Sequence, residues 1–234
     1  MYLMNNIKKV LAFGDSHVAG CELASTHTLN DYLQGKITLE EADAEGKKLA
    51  FPQILANKLN VPCENYALTG GSNDRSLRKL IDTIEENCLV IFGYTSPDRT
   101  EFYYPDEGLF LGRDSDNFIQ AGVQWTGMID KDSKSSPMIH PFNDMYIEHI
   151  LRQYDNIKYV YNCVNSLCSA YKARVMHLSM TSVTYSYMTK LDGFNSYLSW
   201  CKVNNFKQQP YLHYDQNAHN ELAGLLWKHL GDTI

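Results

Sequence analysis

The feature that most constrains this chain is a short apolar run, Val10 to Phe13, stopped abruptly by Gly14, Asp15 and Ser16. It reads as a buried strand over residues 8–13 that enters a tight turn. The pattern recurs. Residues 61–67 form a second run that ends near Gly70 and Gly71. Leu89, Val90, Ile91 and Phe92 follow one another inside residues 88–93 and halt at Gly93. A run with no polar alternation predicts a central strand covered on both faces. Arg174 to Ser179 is a further strand candidate.

Helical spacing fills the intervals. Residues 49–59 carry Ile54, Leu55 and Leu59 on one side. Leu77, Leu80, Ile81 and Ile84 share a face behind a Ser72 cap, and residues 142–171 keep the spacing through Ile150, Ile157, Val160, Val164 and Cys168. Near the C-terminal end, Ala218, Leu222, Ala223, Leu226 and Leu230 predict an amphipathic helix with Asp215 at its start. Residues 38–48 form a polar, acidic interval. Residues 180–210 lack a secure period, and a loop of that length predicts function or further structure.

Alternating strands and helices predict an α/β protein, a three-layer α/β/α sandwich around a mainly parallel sheet. Its functional groups should gather beyond the carboxyl ends of the strands. No repeat or low-complexity linker divides the chain, so residues 1–234 are expected to form one domain. Residues 95–140, where Phe102, Tyr103, Tyr104, Phe110, Phe118 and Trp125 recur between acidic residues, read as an insertion within it.

Composition narrows the partners. Lys plus Arg number 21 against 27 Asp plus Glu, a net charge of −6 with no basic tract, which argues against binding nucleic acid through phosphates. No apolar run approaches the roughly 18 residues that cross a bilayer. The first run is also shorter than the apolar region of a secretory signal, of about 7 to 15 residues. The expectation is a cytoplasmic or virion-associated protein with no membrane partner. Six cysteines without a CxxC pair suggest neither a disulfide framework nor a thiolate zinc site. Nothing in the sequence specifies an oligomeric state.

Three corners carry chemistry. Ser16, between a strand and a helix, would expose its hydroxyl while its amide points toward developing negative charge, as nucleophilic acyl transfer requires. Gly70, in the stretch from Asn65 to Asp74, could present an N–H with no side chain in the way. His213, just ahead of the last helix, is the preferred general base. His219 reads as a packed, hydrogen-bonded core histidine, and His17 and His27 as local structure.

In that order the motifs resemble those of the SGNH, or GDSL-type, hydrolases over most of the chain. GDSH at Gly14 to His17 resembles the nucleophile block. NYALTG, ending at Gly70, resembles the block whose glycine amide enters the oxyanion hole. HYDQNAH, which begins at His213, resembles the histidine block. The resemblance implies a flavodoxin-like SGNH hydrolase fold, Ser16 as nucleophile, His213 as base, and the Ser16 and Gly70 amides as oxyanion donors. It implies no cofactor and no metal.

The resemblance breaks at two positions. Thr95 stands where the family places an oxyanion-binding asparagine, so Thr95 or the nearby Asn73 is the candidate third donor. Pro210 stands where the histidine-orienting aspartate belongs, leaving Asp98, Asp192 and Asp215 as candidate substitutes. GYTSPDR, from Gly93 to Arg99, resembles a variant found in phage-associated members.

The function expected is serine-dependent hydrolysis of a carboxyl ester through an acyl-enzyme. The preferred substrate is an acetylated glycan, since polar residues accompany the aromatics of residues 95–140. One alternative is a noncatalytic glycan-binding or structural virion protein on the same scaffold. Another is a metal site built from His213, Asp215 and His219.

Overall fold

β1 (Lys9–Phe13) lies between two parallel neighbours, β2 (Cys63–Asn65) and β3 (Cys88–Tyr94), and β3 pairs in parallel with β6 (Arg174–Ser179). The register runs Val10 to Cys63, Val10 to Leu89, and Phe92 to His177. The sheet order is therefore β2-β1-β3-β6. The computed structural model describes residues 6–24, 28, 31, 34, 36–97, 99–103, 118–121, 150–181, 188–209 and 213–232.

Period-two alternation sends the side chains of the two inner strands into separate cores. Val10, Ala12, Leu89 and Ile91 pack with α3 (Phe51–Leu59), α6 (Tyr197–Val203) and α7 (Gln216–Asp232). Leu11, Phe13, Val90 and Phe92 pack with α4 (Asn73–Thr83) and α5 (Ile150–Ala170). All seven residues of β3 are buried, which explains the missing polar alternation in its sequence. The result is a three-layer α/β/α sandwich around a parallel sheet. Among the described residues no helix is long and apolar enough to cross a membrane.

Local chemistry sets the helix ends. Ser72 caps α4 by accepting from the Arg75 N–H at 3.1 Å. Asp215 Oδ1 accepts from the Ala218 N–H at 3.3 Å at the start of α7. The first N–H of α3 has no cap from its own segment. The core residue His219 supplies the acceptor through Nδ1, 3.1 Å from Phe51 N.

Two helices differ from the sequence expectation. The polar interval 38–48, to which the sequence pattern assigned no element, is helical: α2 (Leu39–Leu49) opens with a capping box in which Thr38 and Glu41 each accept from the other's backbone N–H. Within the long 180–210 interval, α6 starts at a Ser196 cap. Inside the expected 95–140 insertion, β4 (Thr100–Tyr103) and β5 (Phe118–Ala121) form an antiparallel pair. Glu101 ties β4 to α4 through two 2.8 Å contacts with Arg78. The rest of that expected insertion, including Tyr104, Phe110 and Trp125, lies outside the described residues.

Candidate active site

The sheet order reverses between β1 and β3: the chain leaves β1 toward β2, and leaves β3 toward β6. Such a reversal opens a crevice at the carboxyl ends of the two strands, where doubly wound proteins bind ligands. The corners after β1, β2 and β3 meet there. The Leu68 N–H donates to the Gly14 carbonyl at 3.2 Å. A Cβ on Gly71 would come within 3.0 Å of that same oxygen, and one on Gly14 within 2.9 Å of the Gly93 carbonyl. Only residues without side chains allow backbones this close.

After Gly14 the chain turns into α1 (Ser16–Ala19), a single turn whose cap is Asp15. Asp15 is almost wholly buried, and its carboxylate accepts from the His17 N–H at 3.1 Å, from Thr95 Oγ1 at 2.8 Å and from the Arg99 guanidinium at 3.3 Å. Burial pushes this carboxyl up, but His17, Arg99 and the donated hydrogen bonds outweigh it and hold the group below the usual aspartate range. Ser16 follows at the first helical position, 7% exposed. Among the described residues no hydrogen bond takes up its hydroxyl or its N–H.

The Gly70 corner is a tight turn in which the Gly71 N–H donates to the Leu68 carbonyl at 2.8 Å. Gly70 takes a φ of 76°, as the third residue of a type II turn must. Among the described residues its N–H is unspent. Asn73, at the start of α4, bridges to the β3 corner: its Oδ1 accepts from the Thr95 N–H at 3.0 Å and its Nδ2 donates to the Thr95 carbonyl at 3.3 Å. An amide nitrogen carries two hydrogens, so one remains. The Thr95 hydroxyl proton is committed to Asp15, which leaves that hydroxyl nothing to donate to an oxyanion.

His213 sits on a clip ahead of α7, its carbonyl accepting from the Gln209 N–H at 2.7 Å. Two of the sequence candidates for its carboxylate partner, Asp192 and Asp215, are engaged elsewhere. Asp215 caps α7, and Asp192 lines a cavity of about 220 Å³ between residues 189–193 and the second half of α7, which includes neither Ser16 nor His213. Asp98 lies outside the described residues.

The carboxylate on His213 belongs to Glu22. Its Oε2 accepts from His213 Nδ1 at 2.7 Å and from the His213 backbone N–H at 3.2 Å. Glu22 follows α1 in a left-handed conformation, φ 65°, and its side chain is 6% exposed. A carboxylate can only accept, so Nδ1 carries the hydrogen and Nε2 is left as the basic nitrogen. Sequence spacing gave no pointer to Glu22, because the contact joins residues 191 positions apart.

The His17 ring packs between His213, with centroids 4.9 Å apart, and Tyr197 of α6, 5.5 Å away. Burial drives the His17 pKa down to about 4, keeping this neighbour uncharged at neutral pH. Among the described residues no hydrogen bond joins Ser16 Oγ to His213. The residues raised for a metal site are engaged separately: His213 Nδ1 with Glu22, His219 Nδ1 with Phe51, and Asp215 with Ala218.

No family model matches the sequence, and no protein of curated function matches it. Comparison of folds finds phospholipase A1 from Streptomyces albidoflavus NA297, 15% identical, covering 94% of this chain and 72% of that one with a TM-score of 0.39. It also finds a putative lipolytic protein of the G-D-S-L family from Desulfitobacterium hafniense DCB-2, 9% identical, covering 94% and 98% with a TM-score of 0.35. An acetyl xylan esterase from the rumen bacterium Butyrivibrio proteoclasticus is 12% identical, with coverages of 97% and 64% and a TM-score of 0.40.

Proposed function

We propose that this chain is a serine-dependent carboxyl-ester hydrolase in which Ser16, His213 and Glu22 act in series. The observation that carries the reading is the 2.7 Å contact between Glu22 and His213 Nδ1, which selects the tautomer whose Nε2 can receive a proton. In the first half-reaction Nε2 takes the Ser16 hydroxyl proton as Oγ bonds to the ester carbonyl carbon. The carbonyl electron pair moves onto oxygen, facing the Ser16 and Gly70 N–H groups and the remaining Nδ2 hydrogen of Asn73. Collapse breaks the bond to the alkoxy group, which leaves with the proton from His213. Water then gives a proton to His213 as its oxygen bonds to the acyl carbon; collapse breaks the bond from that carbon to Ser16 Oγ, His213 returns the proton to Oγ, and the acid leaves.

Two neighbours suit this cycle. Glu22 stabilises the imidazolium that forms at each proton transfer. His17, neutral above about pH 5, adds no positive charge against it. The preferred substrate is an acetyl ester on a carbohydrate, because aromatic and polar residues interleave in the sequence of residues 95–140, a composition that suits sugar faces. A second reading, glycan recognition without catalysis, draws on Thr95, whose hydroxyl has no hydrogen for the position that the resemblance gives to an asparagine.

Labelling with a fluorophosphonate and turnover of an ester panel, including O-acetylated oligosaccharides, test the proposal. Wild type should label and turn over, while Ser16→Ala and His213→Ala should do neither. Equal labelling and turnover in all three removes the site. Saturable oligosaccharide binding by all three with no hydrolysis selects the second reading.

A further inference from the structure

Asp43 of α2 is buried, 4% exposed, although nothing in the proposed proton relay uses it. Both of its oxygens are spent on one residue: Oδ2 accepts from the Thr69 N–H and Oδ1 from Thr69 Oγ1, each at 2.7 Å. Burial raises the Asp43 pKa against the opposing pull of Lys47 and of these two donors. A buried carboxylate is costly to retain and calls for a role beyond packing.

The geometry points to that role. Thr69 and Gly70 are the two central residues of the turn closed by Gly71 N–H and the Leu68 carbonyl. The peptide between them carries the Gly70 N–H, and its direction depends on ψ of Thr69 and φ of Gly70. A clamp on both the N–H and the hydroxyl of Thr69 immobilises one side of that peptide, and the turn hydrogen bond closes the other. The helix that holds the clamp also rests on the nucleophile corner, where a methyl on Gly46 would overlap the Gly20 carbonyl oxygen. One rigid element thus touches the segments that carry both amide donors.

We infer that Asp43 is a positioning residue for the oxyanion hole: through Thr69 it aims the Gly70 N–H, and through α2 it keeps that donor in register with the Ser16 N–H. The inference rests on the ester-hydrolase reading for its kinetic consequence, but not for its structural one. Asp43→Ala removes both acceptors. Asp43→Asn keeps two contacts, since its amide can donate to the Thr69 hydroxyl while its carbonyl accepts from the N–H. Thr69→Val deletes only the hydroxyl arm and gives a milder second test should the alanine variant fold poorly.

The expected result is a kcat loss of about 10- to 100-fold in Asp43→Ala with KM nearly unchanged, because a misaimed donor is missed chiefly in the transition state. Thr69→Val should lose less, about 3- to 10-fold, and Asp43→Asn should recover most of the activity. Affinity for a boronate that mimics the tetrahedral intermediate should fall in step with kcat. The Gly70 amide resonance should shift in Asp43→Ala and return in Asp43→Asn, a readout that needs no turnover. A Gly70 resonance unmoved in Asp43→Ala and in Thr69→Val overturns the positioning role. So does a loss expressed in KM alone. Wild type that neither labels nor hydrolyses at Ser16, with a Gly70 resonance that responds to Asp43, sinks the esterase reading and leaves the clamp standing.

Discussion

The Glu22 carboxylate holds Nδ1 of His213 at 2.7 Å across 191 residues of chain, and it also accepts from the His213 backbone N–H. Two donors from one residue fix both the ring and the loop that carries it. The acid therefore comes from the turn directly after the Ser16 helix, so one short segment, residues 15–22, contributes the cap, the proposed nucleophile and the carboxylate.

Glu22→Gln should retain the fold and lose about 10²- to 10⁴-fold in kcat, since an amide neither selects the tautomer nor stabilises the imidazolium. The controls are two of the three candidate carboxylates raised from sequence. Asp192→Ala and Asp215→Ala should keep kcat within about twofold, and Asp215→Ala should lose about 1 kcal/mol of stability with its helix cap. Steady-state kinetics and urea denaturation on the four proteins separate the assignments. Equal losses in all three variants would remove Glu22 from its place.

Thr95 and Asn73 should differ in kind. Thr95→Val removes a donor from a buried carboxylate, so it should cost about 1–2 kcal/mol of stability and change kcat by less than about tenfold. Asn73→Ala removes the amide hydrogen that remains for the oxyanion and should lower kcat by about 10²-fold. Rates measured well below both melting temperatures decide the matter. A larger kcat loss in Thr95→Val than in Asn73→Ala would contradict this division.

Stability should fall on the acid side of neutrality. Burial holds His17 and His177 near pKa 4 and His219 near 3, whereas an exposed histidine in the unfolded chain titrates near 6.5. The unfolded state then binds protons that the folded state refuses. The stabilisation is complete above pH 6.5 and is lost as pH falls toward 4. His177, with Tyr94 Oη on one ring nitrogen and Asn165 Oδ1 on the other, should account for a loss on the order of 2–3 kcal/mol across that window. Urea midpoints at pH 7, 5.5 and 4.5 should decline, and His177→Gln should flatten the slope. An unchanged slope would rule out His177 as a source of the dependence.

Gly71→Ala should weaken fold and activity together. Its methyl would come within 2.9 Å of the Leu68 carbonyl and 3.0 Å of the Gly14 carbonyl, both backbone atoms that cannot swing aside. The corners after β1 and β2 would part, separating Gly70 from Ser16. A lower melting temperature with reduced kcat is expected. Wild-type values for both would mean that the corners tolerate separation.

Much of this architecture is legible in the chain because it is local. The run ending at Gly14, the unbroken Leu89 to Phe92 segment and the Ser72 cap each point to elements found within a few residues of their expected ends. The structure also gives His219 the packed, hydrogen-bonded place expected of it, on the first N–H of α3. Helix α2 was readable too, through Thr38 and Glu41 at capping-box spacing, but its polar face concealed the weaker apolar period. Helix α6 offered only the Ser196 cap before seven residues, too short a window for periodicity to speak.

By itself the sequence determined the alternation of strands and helices, the parallel sheet they imply, and the corners at which a serine, a glycine amide and a histidine would be displayed. Those properties follow from side-chain period, turn chemistry and capping, all of which act over one or two turns of chain. Only the tertiary structure decided which carboxylate meets His213, which donor Thr95 loses to Asp15, and which buried acid grips Thr69. Such contacts join segments far apart in sequence, and nothing in the local pattern around Glu22 or Asp43 distinguishes a partner from any other acidic residue. Packing distinguishes them, by bringing two oxygens within hydrogen-bond reach of the groups that need them.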